Sequence, residues 1–289
     1  MVRKRIGVFD VVNFLILLFI AIVTVFPFLH MASVAISAPE YVVRNQVSFF
    51  PRGFQFDALN AVFEDKRLWI GYRNTIGYVL LGGFISMSVT IMGAYALSRR
   101  GLVFHKPIML FIVFTMMFFG GMIPFYLVAR AYGLMDTIWA MVLPNAVNTY
   151  NLIVMRTFFS GLPVEVEESG RIDGLSDFSV LTHIVIPLSK PVLLTIGLFY
   201  AVEIWNSFQG ALLLIRNPNL FPLQLVIRNL VVVGQAGDVL TASTKDGHKV
   251  ILESLKYAII LLGCLPLLII YPFIQKHFEQ GALIGSVKG

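Results

Sequence analysis

Three polar side chains in a long apolar stretch are the residues best suited to bind a solute. Glu203, Asn206 and Gln209 are spaced three residues apart, so on a helix they would form a roughly continuous polar stripe. Ionisable residues are costly inside a membrane span and usually mark a functional site there. Carboxylate and amide groups form hydrogen bonds with hydroxyl groups, directly or through water. The stripe therefore predicts the wall of an aqueous path or, alternatively, a cluster of hydrogen bonds between helices.

A second polar group lies in the preceding apolar stretch, where Asn145, Asn148 and Thr149 would also form a stripe on a helix. We assign Asn145 and Asn148 to the same path, with helix packing through polar side chains as the alternative. Trp205 stands beside the first stripe and is a candidate for stacking on an apolar face of the solute. Ordinary packing is the alternative for Trp205, because 13% of the residues are aromatic.

No combination of residues predicts catalysis, a metal site or nucleotide binding. The sequence has no readable Ser-His-Asp or Cys-His arrangement, and its single cysteine, Cys264, excludes a disulfide within the chain. It has no Gly-x-x-x-x-Gly-Lys-Ser/Thr loop, so the chain should not bind or hydrolyse ATP itself. The histidines are widely separated, at His30, His105, His183, His248 and His277. We therefore predict no catalytic residue, no metal and no cofactor in this chain.

Composition indicates that these residues belong to a membrane protein. Of the 289 residues, 57% are hydrophobic and 13% are charged, whereas about 25% are charged in an ordinary soluble domain. The net charge of +6 does not indicate nucleic-acid binding, because no dense stripe of Lys and Arg is present. Cytoplasmic loops of membrane proteins collect basic residues, which accounts for this charge.

Long apolar stretches predict an all-α, polytopic protein with about six transmembrane helices. The first stretch is too long for the core of a signal peptide, so we expect it to be kept as an anchor. No repeat or separate soluble domain is apparent. The predicted spans are residues 11–36, 71–98, 107–127, 137–159, 191–215 and 255–274.

Basic residues in short loops predict the orientation of these spans. They cluster before the first span and between the second and third, and cytoplasmic loops favour Lys and Arg. The residues that carry this argument are Arg3, Lys4, Arg5, Arg99, Arg100 and Lys106. With an even number of spans, both termini should be cytoplasmic, and the long stretches 37–70 and 216–254 should face outward.

Residues 160–190 break the apolar pattern, and this topology places them in the cytoplasm. Pro163 can begin a helix at its first position, Gly174 suits a C-terminal cap, and Ser176 suits an N-cap. The second helix would have one apolar face, made by Phe178, Leu181 and Val185. Pro187 would end it. The segment is predicted to be two short helices joined by a glycine turn, a unit suited to docking into a groove on a partner.

The spacing in this segment resembles the coupling motif of bacterial binding-protein-dependent ABC importers. In that family the pattern is Glu-Ala-Ala, three residues, Gly, nine residues and Ile-x-Leu-Pro. The matching positions here are Glu168, Ser169, Gly170, Gly174, Ile184, Val185, Ile186 and Pro187. Ser169, Gly170 and Ile186 depart from the motif, and Gly170 should loosen the first helix by about 1 kcal/mol relative to alanine.

Similarity to carbohydrate-uptake permeases extends along nearly the whole chain. The chain looks most like the maltose-type class, in the branch that includes importers of complex oligosaccharides and alginate. The similar segments are residues 74–76, 94–99, 205–208 and 281–289.

The resemblance implies a type I ABC importer permease, with 1–289 as a single transmembrane domain and 160–190 as its cytoplasmic coupling segment. This subunit would form half of the path for a sugar or oligosaccharide across the lipid bilayer of a bacterial inner membrane. A second permease subunit, favoured to be non-identical, would form the other half. Two ATP-binding subunits would carry ATP and Mg²⁺, and an extracytoplasmic solute-binding protein would deliver substrate. The residues implied in coupling are Glu168, Ser169, Gly170, Asp173, Gly174, Ile184 and Pro187.

Three other functions stay open on the residues alone. A secondary transporter would show inverted repeats and broken helices at matched positions, and no such pairing is visible in the sequence. An ABC importer permease for a solute other than sugar would share the coupling motif. A membrane enzyme or a structural anchor would leave the two-helix segment unexplained, and an enzyme would also need a catalytic set of side chains.

Overall fold

The computed structural model describes residues 7–99, 101–118, 120–232 and 254–270. Within these ranges the chain is largely α-helical and forms no β-strand, which confirms the all-α fold class. The predicted basic residues Arg3, Lys4, Arg5 and Arg100 lie outside the described residues, as do residues 233–253 of the predicted outward stretch 216–254 and the segment 271–289.

The helices divide the chain into long apolar elements and short connecting ones. In chain order they are α1 (Val8–Ala35), α2 (Pro39–Val43), α3 (Asp57–Glu64), α4 (Lys66–Ser98), α5 (His105–Met117), α6 (Met122–Ala131), α7 (Trp139–Val142), α8 (Thr149–Ser160), α9 (Val164–Ile172), α10 (Asp177–Val180), a π-helical turn (Leu181–Val185), α11 (Ile186–Leu188), α12 (Lys190–Trp205), α13 (Gln209–Leu214), a 3₁₀ turn (Pro218–Leu220), α14 (Leu223–Val232) and α15 (Ser254–Ile270).

The chain packs as two compact units, the first of which contains, among the described residues, 7–68, 227–232 and 254–266. Its α1 has 28 residues, enough for about 42 Å at ~1.5 Å per residue, more than a bilayer core of ~30 Å. The chain after α1 folds back onto the end of that helix, where the Ser33 hydroxyl donates to the Phe49 carbonyl at 2.6 Å. A small core of Val34, Val42 and Val47 lies there.

The second unit contains, among the described residues, 69–99, 101–118, 120–226 and 267–270, which include the predicted path residues and the coupling segment. Its main core joins the C-terminal part of α4 to α8, the π-helical turn and α12. Fully buried side chains such as Met155, Val185 and Ile196 form the centre of this core. The chain between α8 and α12 is therefore anchored by apolar packing onto the helices that precede and follow it.

Several predicted spans are interrupted helices. The first two predicted spans correspond to α1 and α4, which are long and apolar enough to cross a membrane unbroken. The third divides into α5 and α6, which are bent by 114°. The fourth divides into α7 and α8, and the fifth into α12 and α13. By length and composition the described residues hold two unbroken spans, or four if each bent helix pair is one span, so six spans stays a prediction.

A turn at residues 216–219 is held by hydrogen bonds from other parts of the chain. The Asp136 carboxylate accepts hydrogen bonds from the backbone N–H groups of Arg216 and Asn217. These bonds to the charged form hold the pKa of Asp136 below its ordinary value. The Asn74 amide donates to the carbonyls of Asn219 and Phe221 at 2.7 and 3.0 Å, which ties the turn to α4.

Candidate functional site

A cavity of about 410 Å³ opens where helices of the second unit are interrupted. Its wall combines the ends of α12 and α13 with parts of α6 and α7. Four of the predicted path residues line it, namely Asn145, Glu203, Asn206 and Gln209. Apolar lining comes from Phe125, Met141 and Phe208, among others. The cavity thus combines aromatic surface with amide and carboxylate groups, a combination suited to binding an organic solute.

The predicted stripe of Glu203, Asn206 and Gln209 is not continuous, because the helix ends within it. α12 ends at Trp205 with Asn206 as its C-cap, and α13 begins only at Gln209. The Asn206 side-chain amide donates to the Val202 carbonyl at 2.9 Å, so it satisfies one of the carbonyls left free at the helix end. The polar residues still meet at one cavity, but they reach it from a helix break.

The predicted helical stripe of Asn145, Asn148 and Thr149 is wrong for a similar reason. Asn145 lies in the non-helical stretch between α7 and α8, next to Pro144, which has no backbone N–H and disfavours a continuous helix. Asn148 is the N-cap of α8, and its side-chain oxygen accepts from the Asn151 backbone N–H at 3.2 Å. Asn148 begins a new helix here and Asn145 lies before it, whereas the sequence suggested that both were in the middle of one helix.

A chain of hydrogen bonds joins Asn148 to both α4 and α12. The Tyr200 hydroxyl accepts from the Asn148 backbone N–H at 3.0 Å and lies 2.7 Å from the Thr90 hydroxyl. The Asn148 amide donates to the Glu203 carboxylate at 3.2 Å. Tyr200 is only 1% exposed, so this network fixes the start of α8 against two other helices and holds Glu203 at the cavity.

Tyr200 has a role that the sequence analysis did not assign. It lies three residues before Glu203, and this spacing on α12 is the signal that places it beside the predicted stripe. Trp205, by contrast, was assigned to the path but does not line the cavity. Its side chain is 7% exposed and its ring centre lies 6.3 Å from that of Tyr72. Ordinary packing, which the sequence analysis gave as the alternative role, therefore describes Trp205 better.

The predicted glycine turn in the coupling segment is confirmed. Gly174 follows the C-cap of α9 with φ of +82°, a left-handed conformation that favours glycine. The Gly174 N–H donates to the Arg171 carbonyl, and the Leu175 N–H donates to the Gly170 carbonyl, a Schellman motif. Ser176 is the predicted N-cap of the next helix, and its hydroxyl accepts from the Ser179 N–H. Pro163 precedes α9 as its N-cap, one position earlier than expected.

Gly170 allows close packing inside this segment. A Cβ at this position would lie 2.6 Å from Cδ1 of Ile184 and 3.5 Å from a methyl of Val180. An alanine would therefore require the end of the Ile184 side chain to shift. The sequence indicated only that Gly170 loosens α9; the structure adds that it brings α9 against the π-helical turn.

The apolar face of the second helix differs from the prediction. Leu181 and Val185 are buried as expected, but Phe178 is 67% exposed. The π-helical turn changes the helical period, because its hydrogen bonds connect residues five apart. Val180 and Val185, which are five apart, are the fully buried pair. The remaining predicted coupling residues Glu168, Ser169, Asp173 and Pro187 are exposed, and Ile184 is half-buried.

A second cleft, of about 480 Å³, is lined by α9 and by the end of α4. Arg99 forms an ion pair there with Glu167, and its guanidinium lies 3.8 Å from the centre of the Tyr95 ring. Burial lowers the pKa of Arg99 from its ordinary value, although a guanidinium stays charged at neutral pH. Glu168 lines the same cleft. The ion pair joins the coupling segment to the end of α4, and the sequence analysis did not predict it.

Metal binding has no visible site in the described part of the chain. Within residues 7–99, 101–118, 120–232 and 254–270, no three His, Cys, Asp or Glu side chains come close enough together to hold a metal ion.

Comparison with known proteins identifies the family. Residues 88–283 match the family described as binding-protein-dependent transport system inner membrane component, and the chain belongs to this family. It is 39% identical to the polygalacturonan/rhamnogalacturonan transport system permease protein YtcP of Bacillus subtilis (strain 168), over 97% of this chain and 98% of the relative. It is 40% identical to protein LplC of the same organism, over 98% and 95% of the two chains.

A solved structure shares the fold. It is the crystal structure of a bacterial ABC transporter involved in the import of the acidic polysaccharide alginate. The TM-score is 0.85 and the sequence identity 34%, over 96% of this chain and 99% of the other. The chain is thus an ABC transporter permease, an inner membrane component and a transport subunit rather than an enzyme. Such a subunit works in a complex with a binding protein and an ATPase.

Proposed function

We propose that this chain forms half of the path of an ATP-driven importer for an oligosaccharide, and that the 410 Å³ cavity is part of that path. The observation that carries the proposal is the meeting of amide, carboxylate and aromatic side chains at interrupted helices. Sugar hydroxyls both donate and accept hydrogen bonds, and amides match them in both respects. The names of the relatives, which refer to polygalacturonan, rhamnogalacturonan and alginate, support a saccharide substrate.

The path residues divide into three roles. Asn145, Glu203, Asn206 and Gln209 line the cavity and are proposed to contact the substrate. Asn148 contacts the Glu203 carboxylate and is proposed to orient it. Trp205 is proposed to support the end of α12 by packing, since its ring lies against Tyr72.

The coupling role is proposed for the segment around α9. The exposed members of the motif, Glu168, Ser169, Asp173 and Pro187, are proposed to face a cleft on an ATP-binding subunit. The packed members, Gly170 and Ile184, and the exposed turn residue Gly174 are proposed to keep the segment rigid. Because the segment leads directly into α12, force on it would reach the helix that carries Glu203.

The assembly and its orientation complete the proposal. Residues 1–289 act as one permease domain beside a second, non-identical permease subunit. Two ATP-binding subunits hold ATP and Mg²⁺, and an extracytoplasmic solute-binding protein delivers substrate. Both chain termini face the cytoplasm. The basic loop residues Arg99 and Lys106, beside the coupling segment in the sequence-based topology, support this orientation.

The proposal is tested by substituting Asn206 with leucine in the complete importer, reconstituted in proteoliposomes with ATP inside. Loss of one uncharged hydrogen-bonding partner commonly costs ~1 kcal/mol, so saccharide uptake should fall about fivefold. Asn60→Leu, at an exposed position of α3, is the matched control and should leave uptake unchanged. Co-purification of all subunits shows that assembly survives.

Two results would count against the proposal. Normal uptake by Asn206→Leu removes that residue from the path. ATP-dependent uptake of amino acids or peptides, with no saccharide from a broad panel accepted, replaces the proposed substrate class.

A further inference from the structure

The cavity carries a fixed negative charge. Among its described lining residues, Glu203 is the one carboxylic acid and there is no Lys or Arg, while the other hydrogen-bonding groups are the amides and hydroxyls of Ser86, Asn145, Tyr200, Asn206, Ser207 and Gln209. The Glu203 side chain is exposed to the cavity. A solute in contact with this wall therefore meets a carboxylate.

Hydrogen bonds hold the Glu203 carboxylate in a defined position. The Asn148 amide donates to one of its oxygens at 3.2 Å, and Asn148 is itself held by its backbone bond to the Tyr200 hydroxyl at 3.0 Å. An amide orients a carboxylate without neutralising it. The negative charge is thus positioned by a neutral network and stays available to act on a solute.

The neighbouring amides suit an uncharged, hydroxyl-rich solute. Asn206 uses its side-chain N–H₂ on the Val202 carbonyl, which leaves its side-chain oxygen to accept from the cavity. Glu203 likewise accepts hydrogen bonds, and a sugar hydroxyl can donate to both. A uronate carboxylate has no proton to donate at neutral pH and would present like charge to Glu203.

From these observations we propose that this face of the path takes an uncharged saccharide and that Glu203 selects against uronates. The inference rests on the proposed function and narrows its substrate class from saccharides in general to uncharged saccharides. It also separates this chain from two of its relatives, whose names refer to the acidic polymers polygalacturonan and alginate.

Charge repulsion is large enough to set such a preference. Two negative charges about 6 Å apart repel by an energy that corresponds to about threefold in bulk water and about a hundredfold at an effective dielectric constant of ~20. A cavity open to water falls between these limits. The expected discrimination is therefore about tenfold or more.

The test uses pairs of oligosaccharides that differ only in charge. Pectin-, alginate- and xylan-derived uronate oligomers are each paired with the same oligomer after reduction of its carboxyl groups to primary alcohols. Uptake is measured in proteoliposomes containing the complete importer, with the solute-binding protein saturated by each sugar. Glu203→Gln removes the charge and keeps the size of the side chain. Glu64→Gln, an exposed acid at the end of α3, is the matched control.

The wild-type importer should carry the uncharged member of a pair at least about tenfold faster than the uronate, or should carry only the uncharged member. Glu203→Gln should bring the two rates within about threefold by raising the rate for the uronate, and Glu64→Gln should not. The inference is overturned if the wild type carries the uronate as fast as the uncharged sugar or faster. It is also overturned if the ratio of the two uptake rates is the same in Glu203→Gln as in the wild type. Either result leaves the proposed function standing. If no saccharide of either kind is carried or stimulates ATP hydrolysis by the assembled complex, the proposed function fails as well.

Discussion

At the scale of single residues, the Tyr200 hydroxyl joins three helices of the second unit. It accepts from the Asn148 N–H and lies 2.7 Å from the Thr90 hydroxyl, and both side chains at that contact are buried. Groups buried this deeply cannot easily exchange such bonds for bonds to water. The position of Glu203 at the cavity therefore depends on a hydroxyl group that is almost fully buried.

Tyr200→Phe is expected to destabilise the permease and displace the start of α8. Removing the hydroxyl leaves the Asn148 N–H without its acceptor, which commonly costs ~1–3 kcal/mol. Thermal unfolding of the purified complex should begin at a lower temperature, and uptake should fall. Tyr150→Phe is the matched control because Tyr150 is 56% exposed. Equal melting of Tyr200→Phe and wild type would show that the network contributes no stability.

The sequence could identify most of the polar residues at the site but could not predict the local structure around them. The residue types and their spacing identified four side chains that line one cavity, Asn145, Glu203, Asn206 and Gln209. Spacing along a helix could not reveal that Asn206 ends α12, since its capping bond to the Val202 carbonyl depends on the folded backbone. Trp205 was misplaced because an aromatic side chain fits a core as well as a cavity wall.

At the scale of elements, two structural features hold the coupling segment in place, a glycine turn and an ion pair. The turn at Gly174 sets the angle between α9 and α10, and the Arg99–Glu167 ion pair fastens α9 to α4. The turn was predictable, because Gly174 and Ser176 are local signals for a helix end and a helix start. The ion pair was not, because Arg99 and Glu167 are far apart in the chain and nothing local identifies the partner. The π-helical turn had no local signal that we recognise.

Gly174→Val should disrupt the turn. A non-glycine residue in the left-handed region costs roughly 1–2 kcal/mol, and a β-branched side chain is especially unfavourable there. Transport and substrate-stimulated ATPase activity should both fall severely, while membrane insertion survives. Gly174→Asn is the matched control, because asparagine tolerates this conformation, and it should retain much of the activity. Equal activity of the valine and asparagine variants would show that the turn angle is unimportant.

Glu167→Gln should loosen the attachment of α9 to α4. The Glu167 and Arg99 side chains are 12% and 24% exposed, and removing one member of this partly buried pair leaves the other without its partner, at a cost of ~1–3 kcal/mol. Hydrogen exchange in residues 164–172 should become faster. Glu165→Gln, an exposed acid on the same helix, should leave exchange unchanged. Unchanged exchange in Glu167→Gln would mean that apolar packing alone fixes α9.

At the scale of the whole molecule, the apolar composition and the motif spacing led to the same class of protein as the comparisons. The motif requires Glu168, Gly174 and Pro187 at fixed intervals, and that requirement is specific enough to identify a family. The number of unbroken spans was harder to predict from the sequence. Apolar stretches do not show where Pro144 or the Gly120–Gly121 pair interrupts a helix, because membrane helices often tolerate both residue types.

The central claim is that this permease couples ATP hydrolysis on a partner subunit to solute uptake through the segment around α9. The most direct measurement compares wild type with Glu168→Lys in the complete reconstituted importer, following ATP hydrolysis and solute accumulation together. Glu168 is exposed and lines the cleft beside Arg99, so charge reversal should weaken docking rather than folding. We predict that substrate-loaded binding protein stimulates both activities in the wild type and neither in Glu168→Lys. Normal stimulation and accumulation in Glu168→Lys would contradict the account.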